Sequence, residues 1–172
     1  MELCRAADLI LHGGDFVSAA VLEELRALGP PVEAVCGNMD EAALKAELPR
    51  EHVVEVGGAR IGMVHIPGPA TGRAARLRAR FPDCDAIVYG HTYVLEVTRD
   101  GGAWILNPGS PTERRRAPGH AMLLLEVKAG TIQPELVGLK EFDTNACSLY
   151  HANTCSARSS WSRSRLSCSG AS

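Results

Sequence analysis

The chain has 172 residues, of which 45% are hydrophobic, enough for one α/β domain with a core but short for two. Its formal net charge of −2 disfavours non-specific binding of nucleic acid through the phosphates. No apolar run approaches the roughly 20 residues that span a bilayer, and the first residues lack the apolar region of a signal peptide. We therefore expect a cytoplasmic protein with no nucleic-acid or membrane partner.

The composition changes near residue 142. Residues 1–142 contain two serines, whereas residues 143–172 contain nine, together with three arginines and no periodic apolar pattern. This predicts one domain over 1–142 and a disordered tail over 143–172. The same contrast suggests, as a hypothesis, a frameshifted or vector-derived ending, which gene sequencing and an intact mass can test. Cys4, Cys36 and Cys84 lack paired metal-type spacing, which predicts buried free thiols.

The first half of the chain predicts alternating strands and helices. An apolar strand over 8–12 runs into a Gly-Gly-Asp turn, and a helix over 18–28 follows with Ser18 as a candidate N-cap. A second buried strand over 32–36 ends in the turn GNMD. A short helix over 41–47 then ends before Pro49.

The second half predicts mainly hairpins. HVVEV and ARIGMVHI form a hairpin across two glycines, a helix covers 72–81, and DAIVYGHT is a further strand. Two more hairpins turn near residues 100–101 and 130. Early β-α-β units followed by hairpins indicate an α/β protein with mixed sheets.

Four predicted strands end on a candidate metal ligand beside a glycine or a turn: Asp15, Asn38, His65 and His91. Loops at the carboxyl ends of adjacent strands converge, so these side chains can meet around one ion. Taken singly, Asp15 fits a turn or cap residue, Asn38 a left-handed turn, and each histidine a core residue with satisfied hydrogen bonds. Their shared position favours a metal site of oxygen and imidazole ligands.

These motifs resemble, in the same order, those of the small bacterial phosphodiesterases of the calcineurin-like metallophosphoesterase superfamily. The matching segments are GD at 14–15, GNMD at 37–40, His65, GHT at 90–92 and NPGSPTERR at 107–115, within about residues 8–139. The resemblance implies an α/β four-layer sandwich of two mixed β-sheets flanked by helices, with the first strand missing from this chain.

The resemblance also implies the roles of individual residues. Asp15, Asn38, His65 and His91 would bind metal, and Asp15, Asn38 and His91 would serve in catalysis. Tyr93 and Asp40 would contact the substrate. The cofactor would be one or two divalent cations, with Mn²⁺ favoured and Fe, Zn, Ni or Mg as alternatives.

The chain departs from the family pattern at one of the two metal sites. No D-x-H motif precedes Asp15, and Tyr93 stands where the family has the second histidine of GHTH. Because a phenol with a pKa of about 10 is a weak ligand at neutral pH, we expect impaired hydrolysis. For a start site placed too late, the missing strand would leave neighbouring backbone groups and apolar faces exposed, and we expect a poorly soluble or aggregating product. The general acid is left open between Asp40, His12, Tyr93 and water.

The predicted function is metal-dependent hydrolysis of phosphodiester bonds, with phosphomonoesters as a further substrate class, through a metal-activated hydroxide. The alternative is a non-catalytic metal-binding or scaffold module of the same fold, similar to the scaffold subunit of the retromer complex. A serine hydrolase is disfavoured because the chain has no G-x-S-x-G turn. We expect a small phosphorylated substrate as partner, and the sequence leaves open a homo-oligomer.

Overall fold

The computed structural model describes residues 2–111 and 119–139, together with the backbone of 154–158. The helices are α1 Glu2–Arg5, α2 Ala19–Arg26, α3 Ala42–Glu47 and α4 Arg73–Arg80. The strands are β1 Leu9–His12, β2 Val32–Ala34, β3 Glu51–Val56, β4 Ala59–Val64, β5 Ala86–Tyr89, β6 Glu96–Asp100, β7 Ala103–Asn107, β8 His120–Lys128, β9 Thr131–Leu139 and β10 Thr154–Arg158.

The strands form two mixed sheets of five strands each. The first sheet has the order β2-β1-β10-β8-β9, with β1 parallel to β2 and antiparallel to β10. The second has the order β3-β4-β5-β7-β6, in which β4, β5 and β7 are parallel and the edge strands β3 and β6 are antiparallel to their neighbours. All three predicted hairpins are present.

The two sheets face each other across the main core. Leu11 of β1 and Leu123 of β8 lie in the same buried cluster as Ile61 of β4 and Val88 of β5. Helix α4 covers the outer face of the second sheet through Leu77, while α1, α2 and α3 cover the outer side of the first. The predicted four-layer arrangement of two mixed sheets and flanking helices is therefore confirmed.

The N-terminus of α2 differs in detail from the sequence expectation. Ser18 is the N-cap and has an extended backbone, but its side chain makes no capping hydrogen bond. Instead, the N–H of Ala19 donates to Glu41 Oε1 at 2.7 Å. Glu41, the residue before α3, thus accepts an N–H at the start of α2 that has no acceptor within its own helix, and it connects α2 to α3.

Strand β10 lies inside the segment that the sequence predicts to be a disordered tail. Its five residues pair with β1 on one side and with β8 on the other, in the interior of the first sheet. The prediction of disorder is wrong for these residues, because a polar sequence without an apolar pattern can still complete a backbone ladder between two apolar strands. The rest of the tail, including His151, lies outside the described residues, as do Arg114–Arg116.

Cys4 and Cys84 are buried and are not part of a disulfide, as predicted, and Cys36 is half-buried and not part of one either. None of the helices in the described part of the chain combines the length and the apolar character that a bilayer crossing requires.

Candidate metal centre

The four predicted ligands come together where two pairs of parallel strands end. Asp15 follows β1 and Asn38 follows β2 in the first sheet, while His65 follows β4 and His91 follows β5 in the second. Because parallel neighbours end at the same sheet edge, each pair of loops is adjacent, and the facing sheets bring the two pairs together. The convergence that the sequence predicts is present in the structure.

The ligand atoms of this centre are within contact distance. His65 Nε2 lies 3.2 Å from Asp15 Oδ2 and 3.0 Å from Asn38 Oδ1. His91 Nδ1 lies 2.8 Å from the same Asn38 oxygen. Asp15, His65 and His91 each place one ligand atom within 4.8 Å of the other two. Within the described ranges, no other group of three His, Cys, Asp or Glu residues comes this close together.

The hydrogen bonding of His65 fits a cation at this position. Its Nδ1 lies 2.7 Å from the carbonyl oxygen of Gly13, which can only accept, so Nδ1 carries the proton and donates it. In the neutral ring, Nε2 then presents a lone pair toward two oxygen acceptors, from Asp15 and Asn38. A lone pair that faces two acceptor oxygens is repelled by them unless a second proton or a metal ion lies between. Histidines that bind metals commonly donate their other ring N–H to a backbone carbonyl, as His65 does.

The Asp15 carboxylate is held in its ionised form. Burial alone raises its pKa, but hydrogen bonds from His65 and from the N–H of Met39, together with the two nearby histidines, lower it below the ordinary value. The Met39 N–H donates to Oδ1 at 2.9 Å. An ionised, largely buried carboxylate is suited to binding a divalent cation. His91 is exposed, so the centre is open to solvent on its side.

The backbone around the centre adopts conformations that non-glycine residues rarely take. Asp15, His91 and Tyr93 have φ values of 65°, 66° and 58°, in the left-handed region. Such conformations cluster at functional sites, where the surrounding contacts hold them. Gly37 lies so close that a Cβ there would overlap the Asp15 carboxylate and backbone nitrogen, so only glycine fits.

The two residues predicted to contact substrate occupy different positions. Tyr93 is buried, and its hydroxyl donates to Asp15 Oδ2 over a long 3.4 Å, so it lies against the centre. Asp40 is also buried, and its two oxygens accept the N–H of Gly37 at 2.6 Å and of Val17 at 2.9 Å. Because backbone donors engage both oxygens, this position favours a positioning role for Asp40 over the predicted substrate contact.

His12, one of the candidates for the general acid, is held neutral. It is completely buried, and burial followed by repulsion from His65 lowers its pKa from 6.5 to about 3, while Asp15 acts in the opposite direction. Its Nδ1 accepts the N–H of Gly14 at 3.2 Å, and its ring stacks on Phe16. A ring without solvent access that gains a proton only in strong acid is a poor acid near pH 7.

Asn107 is a positioning residue whose role the sequence does not reveal. It is completely buried, and its Nδ2 donates to Gly90 O at 3.2 Å and to Thr92 Oγ1 at 2.8 Å, on either side of His91. Its Oδ1 accepts the N–H of Gly109 at 2.9 Å. Asn107 thus fixes the conformation of the His91 loop. The only sequence signal for this role is that Asn107 begins the NPGS segment, one of the motifs that resemble the family.

Comparisons of the sequence with known proteins all indicate one protein superfamily. Residues 1–130 match the family model of the calcineurin-like phosphoesterase superfamily domain. A probable metallophosphoesterase of Methanothermobacter thermautotrophicus is 36% identical over 122 residues, which are 70% of each chain. One from Methanocaldococcus jannaschii is 32% identical over 137 residues, covering 78% of this chain and 68% of that protein.

Among solved structures, Vps29 of Entamoeba histolytica in complex with Zn²⁺ superposes with a TM-score of 0.63 and 27% identity, covering 80% of this chain and 86% of that one. The family depends on divalent metals. Sequence, fold and converging metal-ligand side chains agree, and the chain belongs to the calcineurin-like phosphoesterase superfamily.

Proposed function

We propose that this protein is a metal-dependent phosphoesterase that hydrolyses phosphodiester bonds. The observation that carries the proposal is the convergence of Asp15, His65 and His91 within 4.8 Å, with His65 Nε2 facing two oxygen atoms. Membership of the superfamily and similarity to probable metallophosphoesterases support the same reaction class.

Asp15, Asn38, His65 and His91 are the residues that would hold the cation. A divalent cation bound there lowers the pKa of a coordinated water and neutralises charge that develops on the phosphoryl oxygens. Asp15 contributes a carboxylate that stays ionised at neutral pH because its pKa is lowered. Asn38 Oδ1 lies 3.0 Å from His65 Nε2 and 2.8 Å from His91 Nδ1, so Asn38 connects the two rings. Exposed His91 borders the side from which a phosphate ester can approach.

We infer a single tightly bound ion, since the described residues form one group of three such ligands. Mn²⁺ is the metal we favour, because mixed carboxylate, amide and imidazole ligands suit it; Fe, Zn, Ni and Mg are alternatives. The Zn²⁺ complex of the Entamoeba Vps29 supports a cation in this fold. A small phosphodiester is the proposed substrate, and the cytoplasmic location stays a prediction.

The direct test is Mn²⁺-dependent hydrolysis of bis-p-nitrophenyl phosphate by the full chain. We expect Asp15→Asn and His91→Gln to lower kcat/KM by about 100-fold or more, since even outer partners of metal ligands cost about 10–100-fold. His52→Gln is the matched control, because His52 pairs with Glu33 at 2.8 Å, away from the centre. Hydrolysis that survives Asp15→Asn unchanged would show that this centre does not carry the activity.

A non-catalytic module of the same fold is the second candidate, and one observation favours it. Three of the exposed large apolar residues lie one or two positions after a residue of the centre, namely Val17, Met39 and Ile66, and a fourth, Val94, directly follows Tyr93. Exposed apolar side chains that gather around a site mark a surface for a protein partner. Binding of Mn²⁺ or Zn²⁺ by calorimetry, lost in Asp15→Asn, with no hydrolysis of any phosphate ester tested, would favour this candidate.

A further inference from the structure

A cavity of about 400 Å³ opens directly beside the metal centre. Asn38 and His65 belong to its wall, so the cavity and the centre share two residues, and one ligand can occupy both. The remaining walls come from Cys36, Gly37, Lys45, Arg50, Val64, Ile66 and Arg80. The volume suits part of a small molecule rather than a macromolecule.

The cavity is positively charged. Lys45 of α3, Arg50 before β3 and Arg80 at the end of α4 all line it, and its described lining contains no carboxylate. Arg80 pairs with Glu51 at 2.5 Å, on the β3 side. Neither Lys45 nor Arg50 forms an ion pair with a carboxylate among the described residues; the Lys45 ammonium donates one hydrogen bond, 2.8 Å long, to the carbonyl oxygen of Asn38.

The charge of these groups matches a phosphate group. Glu51 offsets the charge of Arg80, so Lys45 and Arg50 leave about two positive charges uncompensated. These balance the roughly two negative charges of a phosphomonoester near neutral pH. Guanidinium groups bind phosphate oxygens in pairs, and a lysine adds a point charge. Val64 and Ile66 supply an apolar wall for the organic part of a ligand.

We propose that this cavity binds a second phosphate group of the substrate. The inference rests on the proposed phosphodiesterase function and specifies its substrate: a phosphodiester that also carries a terminal phosphomonoester. The scissile diester lies at the metal centre, and the terminal phosphate is bound by Lys45, Arg50 and Arg80. These three residues therefore determine specificity and do not contact the reacting atoms.

The kinetic test uses two substrates that differ only in this group: thymidine 5′-(p-nitrophenyl phosphate) and the same compound phosphorylated at the 3′ oxygen. With Mn²⁺ present, we expect kcat/KM to be at least tenfold higher for the 3′-phosphorylated compound. In Arg50→Gln this ratio should fall toward one, whereas in Lys128→Gln, which makes the same charge change at the exposed end of β8, it should be retained. A ratio near one in the unaltered protein, with the single-phosphate compound hydrolysed, overturns the inference and leaves the phosphodiesterase proposal intact.

A binding measurement decides the question without turnover. Calorimetry on the Mn²⁺-loaded protein compares thymidine 3′,5′-bisphosphate with thymidine 5′-monophosphate. We expect at least tenfold tighter binding of the bisphosphate, and loss of most of that difference in Arg50→Gln but not in Lys128→Gln. Equal affinities overturn the inference even where no ester is hydrolysed, and circular dichroism confirms that each variant is folded.

Discussion

Acid should destabilise this domain through His12, well before its carboxylates are protonated. The ring is completely buried at the end of β1, and its pKa is lowered from 6.5 to about 3, chiefly by burial. Below pH 6.5 the unfolded chain takes up a proton on His12, whereas the folded protein does so only near pH 3. The unfolded state therefore binds more protons in this window, and the free energy of unfolding falls as the pH falls.

The size of the effect follows from the same two values. The stabilisation is fully present above pH 6.5 and is lost progressively toward pH 3. One pKa unit corresponds to about 1.4 kcal/mol, so His12 should lower the free energy of unfolding by about 2 kcal/mol at pH 5 and by at most about 5 kcal/mol at pH 3. A loss of 2 kcal/mol is substantial, since domains are stable by about 5–15 kcal/mol.

Urea unfolding between pH 7.5 and pH 5, followed by circular dichroism, measures this dependence. EDTA removes divalent cations, so that competition between protons and metal does not contribute. His12→Asn retains an acceptor for the Gly14 N–H but cannot titrate, and its stability should depend on pH by about 2 kcal/mol less over this range. Equal pH dependence in His12→Asn and the unaltered protein would refute the reasoning.

Further predictions concern the residues around the metal centre. Gly37→Ala should abolish high-affinity metal binding, measured by calorimetry, and lower the free energy of unfolding by about 2 kcal/mol, because the new Cβ would overlap Asp15. Asn107→Ala leaves the buried Gly109 N–H without its acceptor and removes one of the two donors to the Gly90 carbonyl, which also accepts the Thr92 N–H. The free energy of unfolding should fall by about 2 kcal/mol in urea titrations, and by less in Asn107→Asp, which keeps the acceptor. Tyr93→Phe removes the 3.4 Å hydrogen bond from the phenol to Asp15, which is long and therefore weak, so stability should change by less than about 1 kcal/mol. A tenfold loss of kcat/KM in that variant, with the Mn²⁺ affinity measured by calorimetry unchanged, would instead show that the phenol contacts substrate.

Much of the fold could be predicted from the sequence because its signals are local. The apolar run before Gly13 and the hairpin turns at Gly57, Gly101 and Gly130 depend on near neighbours in the chain, and the structure agrees with each. Strand β10 escaped prediction for the opposite reason. It has no apolar pattern of its own, and its place is determined by two distant strands that each lack a backbone partner on one side.

The candidate site likewise combines features that the sequence predicts with features that only the tertiary structure shows. Sequence alone predicted the candidate ligands, because Asp15, Asn38, His65 and His91 all follow strand ends, and the order of strands and turns makes those ends converge. Only the tertiary structure decided that Asp40 faces backbone donors, that Asn107 holds the His91 loop, and that Lys45, Arg50 and Arg80 share one cavity. These relations join residues from separate elements, and the position of a side chain in space depends on how the layers pack, which no local pattern encodes.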